Sequence, residues 1–234
     1  MRVLITGGGC EEPIDGVRFL ANFSTGKTAS FLADHFASRH HEVTALMAFR
    51  AVRPSAPVRV LGFRSFSDLS ETLQGLLERE DFDLVIHAAA VSDFSPESIV
   101  IDGVSSPAGP AGKIYSGAEA FIRLRENPKL IDGLKAWSQN VRCAIVGFKL
   151  TNGAGGLERE EAVRALLVRS RADLVVSNDL SELSGDAHPF ACYALSRDGR
   201  LALARRGLTK NDLANFLEAE CAEWIRKTIK ERHK

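Results

Sequence analysis

Short apolar runs of strand length alternate along this chain with segments whose apolar residues recur at helical spacing. Arg2–Thr6 reads as a first strand, ending in the Gly7-Gly8-Gly9 turn. Ser24 to Ser38 places Phe31, Leu32, His35 and Phe36 at helical spacing and predicts a helix. Glu42–Ala48 and Val58–Phe63 predict strands from their β-branched content. Ser67 opens a predicted helix through Leu69, Leu73, Leu76 and Leu77, and Leu84-Val85-Ile86 is a buried strand running into Ala88-Ala89-Ala90. Further on, Phe121–Leu124, Ala144–Phe148 and Leu174–Ser177 read as strands, and Pro128–Trp137 and Arg159–Ser170 as helices. Asp198-Gly199 between Phe190–Leu195 and Leu201–Ala204 is a hairpin signal. Thr209 caps a last helix through Leu213, Phe216, Leu217 and Trp224. This alternation predicts an α/β fold with a mostly parallel sheet and an antiparallel edge near the C-terminus.

Ser92 to Gly117 breaks the pattern, with Pro96, Pro107 and Pro110 among four glycines and no sustained periodicity. A loop of that length inside a compact domain is uncommon and usually functional, so a flexible loop is expected around 95–117. No repeat or linker is visible, and 1–234 is expected to form one domain.

Composition narrows the functional classes. Thirty basic and thirty acidic residues cancel, whereas a nucleic-acid binder carries a basic excess. No apolar stretch approaches membrane-spanning length, and the first residues reach glycines too early for a secretory leader. Cys10, Cys143, Cys192 and Cys221 are far apart and match no zinc or redox spacing. A cytosolic, reduced protein with no nucleic-acid or membrane partner is expected.

Three segments carry candidate chemistry. The Gly7-Gly8-Gly9 turn allows a phosphate to approach the backbone, but Cys10 and Pro13 stand where a dinucleotide fingerprint needs its later glycine and its helix. No acidic residue ends the second strand to hold a ribose; Met47-Ala48-Phe49 occupies the place. Ala21 to Thr28 imitates a P-loop with alanine for its first glycine, yet no clear strand precedes it. Ser24, Thr25 and Gly26 at a helix start remain good phosphate donors, unless Ser24 merely caps the helix. In His87 to Phe94, the small residues after a parallel strand leave room for a ligand, and Asp93 can accept hydrogen bonds. His87 has no partner at metal spacing and reads as a packed histidine. Lys113 is the only basic residue of the Pro/Gly-rich stretch, where a closing loop could set it over phosphates.

Asn22-Phe23-Ser24-Thr25-Gly26, Ala89 to Phe94, Lys113-Ile114, Asn127-Pro128, Val146 to Leu150 and Ser177-Asn178-Asp179 follow one another in order. Together they resemble the phosphopantothenoylcysteine synthetases, from Arg2 to about Ile225. The monofunctional branch is the better match, with no flavin-binding decarboxylase half before Met1, and nothing in the chain argues for flavin. The resemblance implies a doubly wound, Rossmann-like fold and a homodimer. It implies a magnesium-dependent ligation in which 4′-phosphopantothenate attacks the α-phosphate of CTP or ATP, pyrophosphate leaves, and cysteine takes the acyl group. It further implies catalytic positions at Asn22, Ala89 and Lys113. Arg18, Asn22, Ala89, Ala90 and Asp93 correspond to substrate-binding positions, with Arg18 reaching the neighbouring subunit's site. Gly8, Ser24, Gly26, Phe148 and Asn178 correspond to nucleotide-binding positions. The magnesium ligands are not legible.

The chain also departs from the pattern. Tyr115 and Ser116 follow Lys113 where the fused bacterial enzymes carry lysines, and Ala29 replaces a nucleotide-contacting glycine. Leu166 and Ser170 stand at positions where those enzymes have lysines, with Arg164 and Arg169 nearby. CTP and ATP both stay open. The alternatives are a nucleotide-binding relative without turnover and an NAD(P)-dependent oxidoreductase, the latter disfavoured by the missing ribose carboxylate.

Overall fold

The computed structural model describes residues 1–110, 119–184 and 187–231, with side chains to residue 224. Its main sheet has eight strands: β1 (Arg2–Gly7), β4 (Glu42–Ala48), β5 (Arg59–Phe63), β6 (Leu84–His87), β10 (Ala144–Thr151), β11 (Leu174–Asp179), β12 (Phe190–Leu195) and β13 (Leu201–Gly207). They lie in the order β13-β12-β11-β10-β6-β1-β4-β5. The pairs from β11 to β5 are parallel, and β12 and β13 are antiparallel. Val3-Leu4-Ile5, Leu84-Val85-Ile86 and Leu174-Val175-Val176 are wholly buried, as expected of strands covered on both faces. Helices α1 (Lys27–Ser38) and α5 (Lys210–Glu231) pack together on one face. Helices α2 (Phe66–Arg79), α3 (Leu130–Trp137) and α4 (Gly156–Ser170) pack in succession on the other. The fold is thus a doubly wound, Rossmann-like α/β arrangement: the mostly parallel sheet with its antiparallel edge is what the alternation predicts, and the double winding is what the family resemblance implies.

Helix starts follow local chemistry. Ser65, not Ser67, caps α2: its Oγ accepts from Asp68 N at 3.2 Å, while Asp68 Oδ2 accepts from Ser65 N at 3.0 Å. Thr209 and Asp212 make the same reciprocal pair before α5, at 3.1 Å each way.

The expected loop is in large part a sheet. β7 (Phe94–Ile101), β8 (Val104–Pro107) and β9 (Ala120–Glu126) form a separate antiparallel sheet in the order β8-β7-β9. Asp102 and Gly103, at φ 48 and 81, supply the positive dihedrals of a tight hairpin turn. Pro96 sits where the β7–β9 register shifts, a place that tolerates a residue without an N–H. A small hairpin of β2 (Glu11–Pro13) and β3 (Phe19–Ala21) links β1 to this region. Glu12 Oε2 accepts from Ser95 Oγ at 3.0 Å, and Ser95 bonds Asn127, whose Nδ2 donates to Ser92 O at 3.0 Å. Lys113 lies outside the described residues.

Candidate active site

From β1 the chain first moves outward through β4 and β5, then crosses back to β6, β10 and β11 on the opposite side. Where the winding reverses, the neighbouring loops diverge and leave a crevice at the carboxyl ends of the strands. A cavity of about 350 Å³ lies there, lined by Ser24 to Ala29, Ala88 to Ala90, Phe148 to Leu150, Asn178 and His188. Phe23 stands at its edge with 97% of its surface exposed.

Helix α1 begins later than its periodicity predicts. Gly26 takes the left-handed conformation, φ 71, and holds the cap position with no side-chain cap. Ser24 therefore does not cap the helix; it lines the cavity in the segment leading to it. A Cβ on Gly26 would stand 2.7 Å from Ala51 Cβ, so a glycine is needed for space as well as for φ. The first turn of α1 contains no acidic residue, and although Lys27 N reaches Thr25 Oγ1 at 3.5 Å, the positive end of the helix dipole faces the cavity and favours an anion. Among the described residues Lys27 and Lys149 line the cavity and no carboxylate does. Neither ammonium has an ion-pair partner among the described residues. The space is electropositive and suits an anion.

The floor is held from below. Thr6 Oγ1 accepts the Ala89 N–H at 3.2 Å and shares a hydrogen bond of 2.9 Å with His87 Nδ1. His87 is buried in the sheet, and burial pushes its imidazole down to about 4. It is thus a packed, neutral histidine that orients Thr6. Gly8 O accepts from Ala90 N at 2.8 Å, and Cys10 N donates to Ala90 O at 3.2 Å. Gly8 lies beneath the floor in a turn with φ 89. The Asn22 Nδ2 donates to Val91 O at 2.7 Å, which sets Asn22 beside the Ala89-Ala90 run. Asp93, on the same segment, is exposed and pairs with Lys129 Nζ at 2.5 Å.

The β11 end is equally anchored. Asp179 accepts from Thr151 Oγ1, Gly153 N, Ala154 N and both Ser181 donors. The Ser181 and Thr151 hydroxyls, in that order, hold its carboxyl well below the usual range. Asn178 Nδ2 donates to Pro189 O at 2.6 Å.

Ser24, Gly26, Ala89, Ala90, Phe148 and Asn178 are thus gathered around one cavity, with Gly8 bonded to its floor; Asn22 adjoins that floor through Val91, and Asp93 lies outside the lining, paired with Lys129. Arg18 is elsewhere: with Glu11, Arg50 and Arg64 it lines a second cavity of about 340 Å³, and its Nη1 pairs with Asp15 at 2.7 Å. Leu166 and Ser170 are buried on the inward face of α4, and Arg169 is committed to Asp132 at 2.9 Å. Sequence reasoning missed Thr6 and Lys149 and left Lys27 as part of a failed P-loop. The signals were faint: Thr6 is in register with His87, and Lys149 follows Phe148 towards the end of a predicted strand.

A cavity lined by two lysines and, among the described residues, by no carboxylate, at the switch point of a doubly wound sheet, defines a Rossmann-like protein suited to a phosphate-bearing ligand. The comparisons narrow this class. The chain belongs to the family of the DNA/pantothenate metabolism flavoprotein C-terminal domain, whose model matches residues 1–224. The Coenzyme A biosynthesis bifunctional protein CoaBC of Thermococcus kodakarensis is 32% identical over 224 residues, covering 96% of this chain and 51% of that protein. Its Escherichia coli K12 namesake is 27% identical over 184 residues, covering 78% and 42%. The chain thus spans about half the length of the curated relatives it matches. The crystal structure of the DNA/pantothenate metabolism flavoprotein from Streptococcus pneumoniae superimposes with a TM-score of 0.83 at 27% identity, covering 96% of this chain and 99% of that one. A Cab2 mutant in complex with phosphopantothenate-cysteine shares the fold, at 19% identity and a TM-score of 0.74 over 97% of this chain and 88% of that one.

Proposed function

We propose that this chain forms one catalytic domain, a cytosolic phosphopantothenate–cysteine ligase acting in coenzyme A biosynthesis. The observation that carries the reading is the switch-point cavity, where a helix start without a side-chain cap and two lysines with no ion-pair partner among the described residues adjoin a floor of alanines. In the reaction, a carboxylate oxygen of 4′-phosphopantothenate attacks the α-phosphorus of CTP or ATP and pyrophosphate departs. The cysteine nitrogen then attacks the acyl carbon, and the nucleoside monophosphate leaves with the electron pair. An acyl phosphate needs a dry site with fixed donors on its oxygens; in this reading the start of α1 supplies the donors and the Ala89-Ala90 floor, its own N–H groups bonded to Thr6 and Gly8, supplies an apolar wall. The relatives' role in coenzyme A biosynthesis and the phosphopantothenate-cysteine carried by the Cab2 mutant support this assignment.

In this reading Ser24, Gly26, Lys27 and Lys149 receive the phosphates, Phe148 and Asn178 hold the nucleoside, and Gly8 gives the phosphates their clearance. Asn22, Ala89, Ala90 and Asp93 border the phosphopantothenate, and Lys113 neutralises charge on the departing pyrophosphate. Arg18 serves the partner's site across a homodimer. The β7–β9 sheet supports that dimer: Phe121, Leu124 and Val104 are exposed on it, and such apolar surface marks an interface. Magnesium does not fit a protein-held site here, because the described residues contain no acidic or histidine cluster that could hold it. It enters bound to the triphosphate. Flavin has no part in this reading. No helix among the described residues is long and apolar enough to cross a membrane, in keeping with a cytosolic enzyme.

The test is pyrophosphate release with 4′-phosphopantothenate, magnesium and either CTP or ATP, with and without cysteine. Release that requires phosphopantothenate supports the ligase. Folded, dimeric protein that binds nucleotide but releases nothing would leave a binding protein instead.

A further inference from the structure

His188 is a buried imidazole that neither the fold nor the ligation uses. It is only 7% exposed and lines the switch-point cavity. Its Nε2 has no hydrogen-bond partner among the described residues. An unpaired buried polar atom is rare and costly, and calls for an explanation. Its polar neighbours on the protein side are already committed. The backbone N–H of His188 donates to Leu208 O at 2.8 Å, and Asn178 Nδ2 is taken by Pro189 O. Among the described residues, the cavity is the side from which a partner can come.

Position says what kind of partner. The phosphate-binding features sit at the β1 end, on the approach to α1, whereas His188 and Asn178 belong to the β11 end. Three strand spacings separate β1 from β11, a span of about 14 Å. One elongated ligand can therefore rest its charged end on α1 and its uncharged end near His188. Phe148, Leu180 and Leu183 line the cavity together with His188, so the surroundings there are apolar with few polar groups, as a flat heterocycle requires. Burial, and secondarily the Lys210 ammonium, push the imidazole down to about 4. The ring is neutral near pH 7, has no charge for a phosphate, and suits a neutral polar edge.

We propose that His188 reads the nucleobase, with Nε2 hydrogen-bonding a polar atom on the edge of the base held among Phe148, Leu180 and Leu183. This rests on the nucleotide reading above and adds to it the residue that discriminates between bases.

The test compares wild type with His188→Phe, which keeps a ring but removes the nitrogens, and with His188→Gln, which restores a polar group. KM and kcat are measured for CTP and ATP, KM for 4′-phosphopantothenate, and nucleotide affinity separately by calorimetry. His188→Phe is expected to raise KM for the preferred nucleotide about tenfold or more and to narrow the CTP/ATP preference. The kcat and the phosphopantothenate KM should stay within about threefold, and His188→Gln should recover part of the loss. In parallel, the side-chain ¹⁵N resonance of His188 in the wild-type protein should shift on adding nucleotide, a readout that needs no variant to fold. Unchanged nucleotide KM and preference, or an unmoved resonance at saturating nucleotide, would overturn the inference. So would equal losses for every substrate together with a lowered Tm, since that is a structural role. The ligase reading fails separately: nucleotide that binds through His188 without pyrophosphate release removes the ligase and leaves the base contact standing.

Discussion

Gly8→Ala isolates what the floor of the site demands. Gly8 has φ 89, and an added Cβ would stand 2.6 Å from Ala48 Cβ and 2.7 Å from Ala51 Cβ. Gly199 provides the control: its φ is 76, and nothing lies within 4 Å of its Cβ position. The left-handed conformation costs an alanine about 1–2 kcal/mol at either position. Crowding in a packed interior adds about 1–3 kcal/mol at Gly8 alone. Gly199→Ala should therefore lose about 1–2 kcal/mol and Gly8→Ala about 2–5 kcal/mol, read from urea unfolding with m unchanged. Because Gly8 O accepts the Ala90 N–H, the shift that relieves the clash also tilts the Ala89-Ala90 floor. Gly8→Ala should then raise KM for nucleotide and phosphopantothenate, which Gly199→Ala should leave alone. Equal stability losses in the two variants would refute the packing argument. A destabilised Gly8→Ala with unaltered KM values would refute the link to the floor.

Other outcomes follow from the same geometry. His87 is held neutral, at about 4 against an ordinary value near 6.5. Between those values the unfolded chain takes up a proton that the folded one refuses, so stability rises with pH across that window. The contribution is at most about 3 kcal/mol, present above pH 6.5 and lost as pH falls towards 4. His87→Gln should flatten that rise in urea midpoints measured from pH 4 to 7, and an unchanged slope would contradict the assignment. Replacing Lys149 by Gln should raise the nucleotide KM about tenfold, with the defect shrinking as salt is added; a salt-independent defect would argue against a charge contact. Lys113→Gln should abolish pyrophosphate release while nucleotide affinity by calorimetry stays within about tenfold; lost affinity would make it a binding residue instead. All four cysteines are free and buried, and burial raises their thiols, Cys10 and Cys143 to about 11. Native protein should resist thiol reagents until it unfolds, and rapid native labelling would mean a breathing core.

Local chemistry was legible from the residues alone. Apolar runs such as Leu84-Val85-Ile86 and Leu174-Val175-Val176 read as buried parallel strands because they are covered on both faces, and Asp198-Gly199 announced its hairpin. The same dipeptide logic was present in Asp102-Gly103, but the surrounding prolines hid it; only pairing with β9, some twenty residues on, shows that Pro96 falls at a bulge. The ordered segments around Asn22, Ala89 and Asn178 were visible as a resemblance, since each is a local string of residues. Their convergence was not, because adjacency across β1, β6, β10 and β11 depends on strand order, which no local signal carries. Nor could the chain say that Lys27 and Lys149 would share a cavity that no carboxylate among the described residues lines, that Thr6 would brace Ala89, or that His188 Nε2 would be buried with no partner among them. Those facts arise from long-range packing, where burial and the neighbours brought by other elements decide what a side chain can do.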